Sequence, residues 1–352
     1  MTCPSTAAPR CSESLACGET DPAETPEGCS RLYGPRFWHA YAACLLISVA
    51  YSVLFRYADF VTVLGGTELQ LGWIVGAGMV GSVLARLSLG AAIDQRGPKL
   101  IWLGSMAVFA ATCFAHLWVT RCDGLPIYLL RFVYCTSLAG IFGAATTFVS
   151  GQITAARMAE LVGIFGTSGF VGMMLGTHLG DLLVGPGPLE RWLVDRMFLT
   201  SSCLTLVAMP FAWLSTRKAH APAPHPRVNT LTVLRTYHPG FVLAIGVAAG
   251  GALSLPQTFL RTYAAEIDIP RIGMFFTVVA ATAVAARVLN RRLPDRLGLT
   301  TMIFVGLALL AMAQGLFLVI QSEWQLILPG LPYGMGQAIL YPMVAALGTA
   351  TF

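Results

Sequence analysis

Several ionisable side chains interrupt the apolar runs of this 352-residue sequence, and six of them could carry chemistry. The six residues are Arg56, Asp59, Arg131, His178, Asp181 and Arg261. A charged group inside a bilayer costs several kcal/mol, so such residues face a cavity or a partner. We therefore treat them as candidates for a pathway that carries a substrate or a proton.

The spacing of these residues suggests how they interact. Arg56 and Asp59 are three residues apart, which places them on one face of a helix within pairing distance. The alternative for this pair is an ion pair that snorkels to the membrane surface. Arg131 keeps its proton, so we expect it to act through its field on a nearby carboxylate, with Asp59 first and a more solvated Asp181 second. His178 either titrates near neutral pH or only packs.

Composition indicates that these residues belong to a membrane protein. Hydrophobic residues make up 56% of the chain, charged residues 11%, and the mean hydropathy is +0.69. Soluble domains carry about 25% charged residues. The nine cysteines form no CxxC pair and the six histidines are scattered, so we expect no metal site and no cofactor. A polytopic membrane enzyme is disfavoured, because HExxH and GxSxG are both absent.

Ten apolar runs are long enough to cross a bilayer, since a membrane helix needs about 20 residues. The runs cover approximately 38–62, 69–93, 100–119, 125–149, 161–184, 196–215, 239–263, 271–293, 301–320 and 326–349. We predict a disordered cytoplasmic tail at 1–36, a six-helix bundle at 37–215, a cytoplasmic loop at 216–238 and a second bundle at 239–352.

The distribution of positive charge predicts the orientation. With the amino terminus inside, the inner segments hold 13 Lys and Arg residues and the outer segments hold 4. Cytoplasmic loops carry the excess of Lys and Arg. We therefore expect a multi-pass protein of the plasma (inner) membrane with both termini in the cytoplasm.

An internal repeat relates the second and eighth runs at a constant offset of 201 residues. The matched pairs are Gly72 with Gly273, Arg86 with Arg287, Asp94 with Asp295, and Gly97 with Gly298. Parallel repeats of this kind are typical of secondary transporters. Arg86 and Arg287 lie near the cytoplasmic ends of their runs, so we interpret them as anchors or gate residues.

The loop after the second run carries the most specific motif. Gly90 is followed after three residues by Asp94, then by Arg96, Gly97 and Lys99. This pattern resembles the diagnostic motif of the major facilitator superfamily, specifically of its drug and sugar efflux permeases. Gly97 would allow a tight turn, and Asp94 would place a charge at a helix end. An ordinary charged loop is the alternative.

The fifth run contains a glycine pattern with a second resemblance. Gly163, Gly172, Gly176 and Gly180 lie along it. The pattern is similar to the fifth-helix motif of the family's antiporters, although Thr177 stands where that motif has proline. Close packing of an ordinary bundle is the alternative, since small residues let membrane helices approach one another.

The resemblance implies an all-α polytopic fold of two pseudo-symmetric helix bundles. Family members have twelve spans, so we expect a truncated chain with a complete first bundle and four of six helices in the second. The implied function is secondary transport of a small organic molecule by alternating access, coupled to protons in the direction of efflux. A uniporter, a symporter and an inactive fragment stay open as alternatives. We expect a monomer in the lipid bilayer that binds no nucleic acid.

Overall fold

A computed structural model describes residues 34–151, 158–217, 240–289 and 297–351, and these residues are helical without a strand. The α-helices are α1 Pro35–Val53, α2 Tyr57–Val63, α3 Glu68–Ala115, α4 Leu125–Ser150, α5 Met158–Val184, α6 Arg191–Thr216, α7 Gly240–Glu266, α8 Gly273–Leu289, α9 Leu299–Leu316 and α10 Ile327–Thr351. Most of the predicted tail at 1–36, most of the inter-bundle loop and Asp295 lie outside the described residues, and α1 begins at Pro35, within the range predicted as tail.

Consecutive membrane-crossing segments run in opposite directions, as contacts between their connections establish. Cys122 Sγ lies 3.8 Å from the carbonyl oxygen of Leu64, which joins the connection after α2 to that before α4. Arg191 Nη1 donates to the carbonyl oxygen of Val119 at 2.6 Å. These connections therefore meet at one end of the bundle, which we call the distal end. Pro35 lies at the opposite end, which we call the proximal end.

The helices have the length and surface of a membrane protein. Six helical segments within the described ranges are long and apolar enough to cross a bilayer, and α8 is a shorter apolar helix. Large apolar side chains cover the outside, including Leu182 at 79% exposed and Leu318 at 88% exposed. Exposed apolar surface of this extent marks contact with lipid. The chain is therefore an integral membrane protein, and the predicted all-α polytopic fold is confirmed.

The turn predicted between Gly90 and Lys99 is shorter than the sequence suggests. Helix geometry continues through Asp94 and Arg96, and only Gly97 departs from it, with φ 79° and ψ 152° ahead of Pro98. Such a positive φ favours glycine because a Cβ atom would clash there. Gly298, its partner in the repeat, has φ 79° and ψ 155° at the start of α9. The repeat thus reappears in the backbone dihedral angles.

The glycines of α5 form its contact with α1. A Cβ atom added at Gly172 would lie 2.9 Å from the carbonyl oxygen of Leu45, and one at Gly180 would lie 3.0 Å from that of Val53. At Gly176 it would meet the carbonyl of Val49 and lie 2.8 Å from Ser52 Cβ. Gly163 is different, because nothing lies within 4 Å of its added Cβ atom. Three of the four predicted glycines therefore allow close packing.

We expect Gly176→Ala to destabilise the protein by about 1–3 kcal/mol, because a methyl group at this contact overpacks the helix interface. Gly163→Ala is the matched control on the same helix, where alanine favours the helix by about 1 kcal/mol. SDS-induced unfolding of both variants in mixed micelles measures the difference. Equal stability of the two variants would contradict the assignment of Gly176 to the α1 contact.

Candidate functional site

Arg56 lies at the centre of a buried cluster of charges. It ends the 3-10 turn Leu54–Arg56 between α1 and α2, and its side chain is 2% exposed. Its Nε donates to Asp59 Oδ2 at 2.6 Å, the contact expected from their spacing. Its Nη1 donates to Asp181 Oδ1 at 2.8 Å and to the carbonyl oxygen of Pro270 at 3.3 Å. One guanidinium group therefore holds two carboxylates.

Asp59 binds a second arginine from the other half of the chain. Arg261 Nε, on α7, donates to Asp59 Oδ1 at 2.8 Å, and its Nη1 donates to the carbonyl oxygen of Ile269 at 3.3 Å. Each carboxylate oxygen of Asp59 thus accepts from a different guanidinium group. Because the side chains of Arg56 and Asp59 are buried, this is no snorkelling surface pair.

Asp181 closes the cluster against the start of α8. Its Oδ2 accepts from the backbone N–H groups of Ile272 at 3.0 Å and Gly273 at 2.7 Å. The N-terminus of a helix carries free N–H groups and a partial positive charge, so it stabilises a carboxylate. The expectation of a solvated Asp181 is therefore wrong, because the residue is 6% exposed and each carboxylate oxygen is hydrogen-bonded.

Together, Arg56, Asp59, Asp181 and Arg261 form what we call the distal network. It joins α2 and α5 of the first bundle to α7 and α8 of the second. Two positive and two negative groups compensate each other, which offsets the cost of removing them from water. Beside it, His178 Nε2 lies 2.7 Å from Thr277 Oγ1, a further contact between α5 and α8.

Arg131 lies apart from the distal network. Its guanidinium carbon is 4.2 Å from the ring centre of Tyr57 and 4.7 Å from that of Tyr134. No carboxylate of the described residues is within ion-pairing distance, and Nε has no hydrogen-bond partner among them. The expected pair with Asp59 is wrong, because Asp59 is saturated by two other arginines and points away from Tyr57, two residues earlier on the helix.

A cavity of about 220 Å³ lies beside Arg131, between the two halves of the chain. Its lining includes Tyr51 of α1 and Gln257 of α7, which are joined by a hydrogen bond of 3.0 Å from the tyrosine hydroxyl. It also includes the exposed Arg86. The sequence analysis missed Tyr51 and Tyr134, since an aromatic residue in an apolar run carries no signal that separates pathway from packing.

The remaining motif residues are distributed over the proximal half. Asp94 and Arg96 are exposed, Lys99 is half-buried, and Asp94 forms no ion pair within the described ranges. Arg287 Nη1 lies 3.5 Å from the carbonyl oxygen of Gly163. Arg287 thus contacts α5, whereas its repeat partner Arg86 lines the cavity.

Comparison with known proteins identifies the fold family. The family model of the Major Facilitator Superfamily matches residues 36–352. The chain belongs to the Major Facilitator Superfamily. Members of this superfamily are membrane transporters, so the chain has a transporter fold. None of the described residues form a group of three or more His, Cys, Asp or Glu that could hold a metal ion.

Solved transporter structures share this superfamily fold at low sequence identity. A point mutant of the nucleoside transporter NupG has a TM-score of 0.72 at 12% identity, covering 89% of this chain and 82% of its own. A bacterial homolog of the human lysosomal transporter Spinster, inward-facing and unoccupied, has a TM-score of 0.67 at 13% identity, and the match covers 91% of this chain and 80% of that chain. The xylose transporter XylE from E. coli, in a partially occluded inward-open conformation, has a TM-score of 0.63 at 15% identity, and the match covers 92% of this chain and 88% of that chain.

No protein in the curated comparison matches the chain. The low identities of the solved structures mean that the likeness extends to the fold alone.

We expect Arg56→Gln to lower the free energy of unfolding by about 3–5 kcal/mol, because it leaves two buried carboxylates without their shared cation. Arg121→Gln is the control, since Arg121 pairs with Asp123 in an exposed connection and should change nothing measurable. SDS titration in mixed micelles compares them. A loss no larger than that of Arg121→Gln would show that the distal network adds little stability.

Proposed function

We propose that the protein is a secondary transporter that moves a small organic molecule by alternating access. The observation that supports this most directly is the distal network, because its ion pair Arg261–Asp59 and its hydrogen bonds from the start of α8 to Asp181 join the two halves at the distal end. The cavity lies between the same halves, and its lining reaches from Leu71 to Arg86 on α3, about 22 Å toward the proximal end. Arg86 is exposed there.

In this proposal the distal network is the gate that closes the cavity on the distal side. Opening requires α7 and α8 to separate from α2 and α5, which breaks the ion pair Arg261–Asp59 and the hydrogen bonds from the start of α8 to Asp181. Water that enters the open gate can hydrate the separated charges. The gate therefore has two stable states: a closed state in which the charges are paired and free of water, and an open state in which they are separated and hydrated. By the predicted orientation, the distal side is the outside of the cell.

We propose proton coupling through the carboxylates of this gate. A proton on Asp59 removes the negative charge that holds Arg261, and a proton on Asp181 weakens its contacts with Arg56 and the start of α8. Both carboxylates are buried while the gate is closed, so a proton reaches them only when it opens. Protonation would thus be tied to the conformational step.

Efflux is the direction we propose, on the likeness of the Gly90–Lys99 and α5 glycine motifs to those of efflux permeases. A symporter or uniporter is the alternative, and one solved structure of this fold is a D-xylose-proton symporter. We also propose a monomer in the plasma membrane with both termini in the cytoplasm, as the charge distribution predicts.

A cysteine in the cavity provides a test of the gate that needs no substrate. Cys135 lines the cavity, and the other cysteines can be replaced by serine. In wild-type protein we expect a membrane-impermeant maleimide to label Cys135 from the proximal side of sealed vesicles. Arg261→Gln removes one inter-half contact, so labelling from the distal side should rise by about tenfold, the factor that a 1.4 kcal/mol shift produces.

The control for this experiment is Arg121→Gln, which breaks an exposed pair at the same end without touching the gate. Both variants must elute as single species in gel filtration. If the labelled side is the same in wild-type and Arg261→Gln protein, alternating access through this gate is excluded.

The coupling role of Asp59 has its own test in proteoliposomes. With labelled uridine, xylose and benzoate as probes, Asp59→Asn should abolish accumulation driven by a pH gradient and keep exchange at equal concentrations, because exchange needs no net proton movement. Asp123→Asn, at an exposed carboxylate, should keep both activities. Accumulation that survives in Asp59→Asn would favour a uniporter or another coupling residue.

A further inference from the structure

We infer that the cavity beside Arg131 binds a small organic anion, with a carboxylate on the guanidinium group and a planar body against the aromatic lining. This inference rests on the proposed transport function, since it names the substrate class of the same cavity. It follows from the charge, the hydrogen-bonding state and the size of the cavity.

Charge is the first argument. Two arginines, Arg86 and Arg131, are among the eighteen residues that line the cavity, and none of the eighteen is Asp or Glu. The nearest buried carboxylates on α2 and α5, Asp59 and Asp181, are already compensated within the distal network. The lining therefore carries positive charge without a carboxylate to compensate it, and an anion is the ligand that balances it.

The state of Arg131 is the second argument. The guanidinium group lies over the rings of Tyr57 and Tyr134, with its carbon 4.2 Å and 4.7 Å from the two ring centres. Cation–π contacts leave the N–H groups of the guanidinium available for hydrogen bonds, and the buried Nε has no partner in the described part of the chain. A planar guanidinium group with free in-plane donors matches a carboxylate, which accepts two parallel hydrogen bonds.

Size and lining chemistry limit the rest of the ligand. An apolar cavity of about 150 Å³ holds a benzene molecule. At about 220 Å³, this cavity has room for one ring with a carboxylate group. Aromatic and amide groups from opposite halves, Tyr51 and Gln257, provide a stacking surface and a polar contact. The ligand is therefore a small carboxylate rather than a large amphipathic cation.

The same ligand would bridge the two halves of the chain. Arg131 and Tyr134 belong to α4 of the first half, and Gln257 and Ser254 belong to α7 of the second. A ligand that contacts both sets binds best when the halves are close, so its affinity depends on the conformation. Such differential affinity is what a transported ligand requires.

Binding of three probes of similar size and different charge to purified protein in detergent tests the inference without any measurement of flux. The probes are benzoate, benzamide and benzylammonium, and isothermal titration calorimetry measures the binding of each. We expect benzoate to bind about tenfold or more tightly than benzamide, because a charge-assisted pair replaces a neutral contact. Benzylammonium should show no binding.

Three variants separate charge from packing. Arg131→Gln should remove the preference for benzoate over benzamide, whereas Arg131→Lys keeps the charge and should keep the preference at reduced affinity. Arg86→Gln changes an exposed residue outside the contacts between Arg131 and the tyrosines, so this variant should fold normally. It should weaken benzoate binding by about severalfold. Arg196→Gln is the matched control, because Arg196 stacks on Trp192 outside the cavity.

The outcomes are distinguishable from those of the gate experiment. A benzoate preference that depends on Arg131 supports the inference even if Cys135 labelling excludes alternating access. Equal affinities for benzoate and benzamide, no binding of benzoate, or a preference that survives in Arg131→Gln overturns the inference, while the gate experiment still decides the transport function.

Discussion

The structure depends on one constraint, which is that four charges buried together in an apolar bundle must compensate one another completely. Arg56 holds Asp59 and Asp181, and Arg261 holds the second oxygen of Asp59. The remaining oxygen of Asp181 accepts from the first N–H groups of α8. Because these partners come from both halves of the chain, compensation is possible in only one relative position of the halves. The network therefore determines the relative position of the two halves and also contributes to the stability of the fold.

The two halves share a backbone plan and differ in their charges. Gly97 and Gly298 have the same dihedral angles, so the turn between consecutive helices is repeated. The offset of 201 residues places Gln257 at the position equivalent to Arg56, and Leu260 at that equivalent to Asp59. The second half thus repeats the helices and contributes only one charge, Arg261, to the network. Divergence between repeats has produced an asymmetric charge network on a repeated scaffold.

The sequence predicts the helices and the local pair, but not the contacts between halves. Apolar runs predict the helices because burial in lipid requires them, and Gly97 predicts its turn because glycine readily adopts the positive φ that the structure shows there. Arg56 and Asp59 are found by their spacing. The contact of Asp59 with Arg261 spans 202 residues and has no local pattern. The stack on Arg131 was missed because Tyr57 and Tyr134 meet only through tertiary packing.

One short helix connects the cavity with the distal network. Helix α2 is seven residues long and carries Tyr57 toward Arg131 and Asp59 toward Arg261. In the proposed mechanism, a ligand that moves the backbone of α2 at Tyr57 also displaces Asp59, because the two residues lie in one turn of the same helix. By the same proposal, a proton on Asp59 would release Arg261 and free α2 to shift against the cavity. Coupling of this kind is reciprocal, since each event changes the free energy of the other by the same amount.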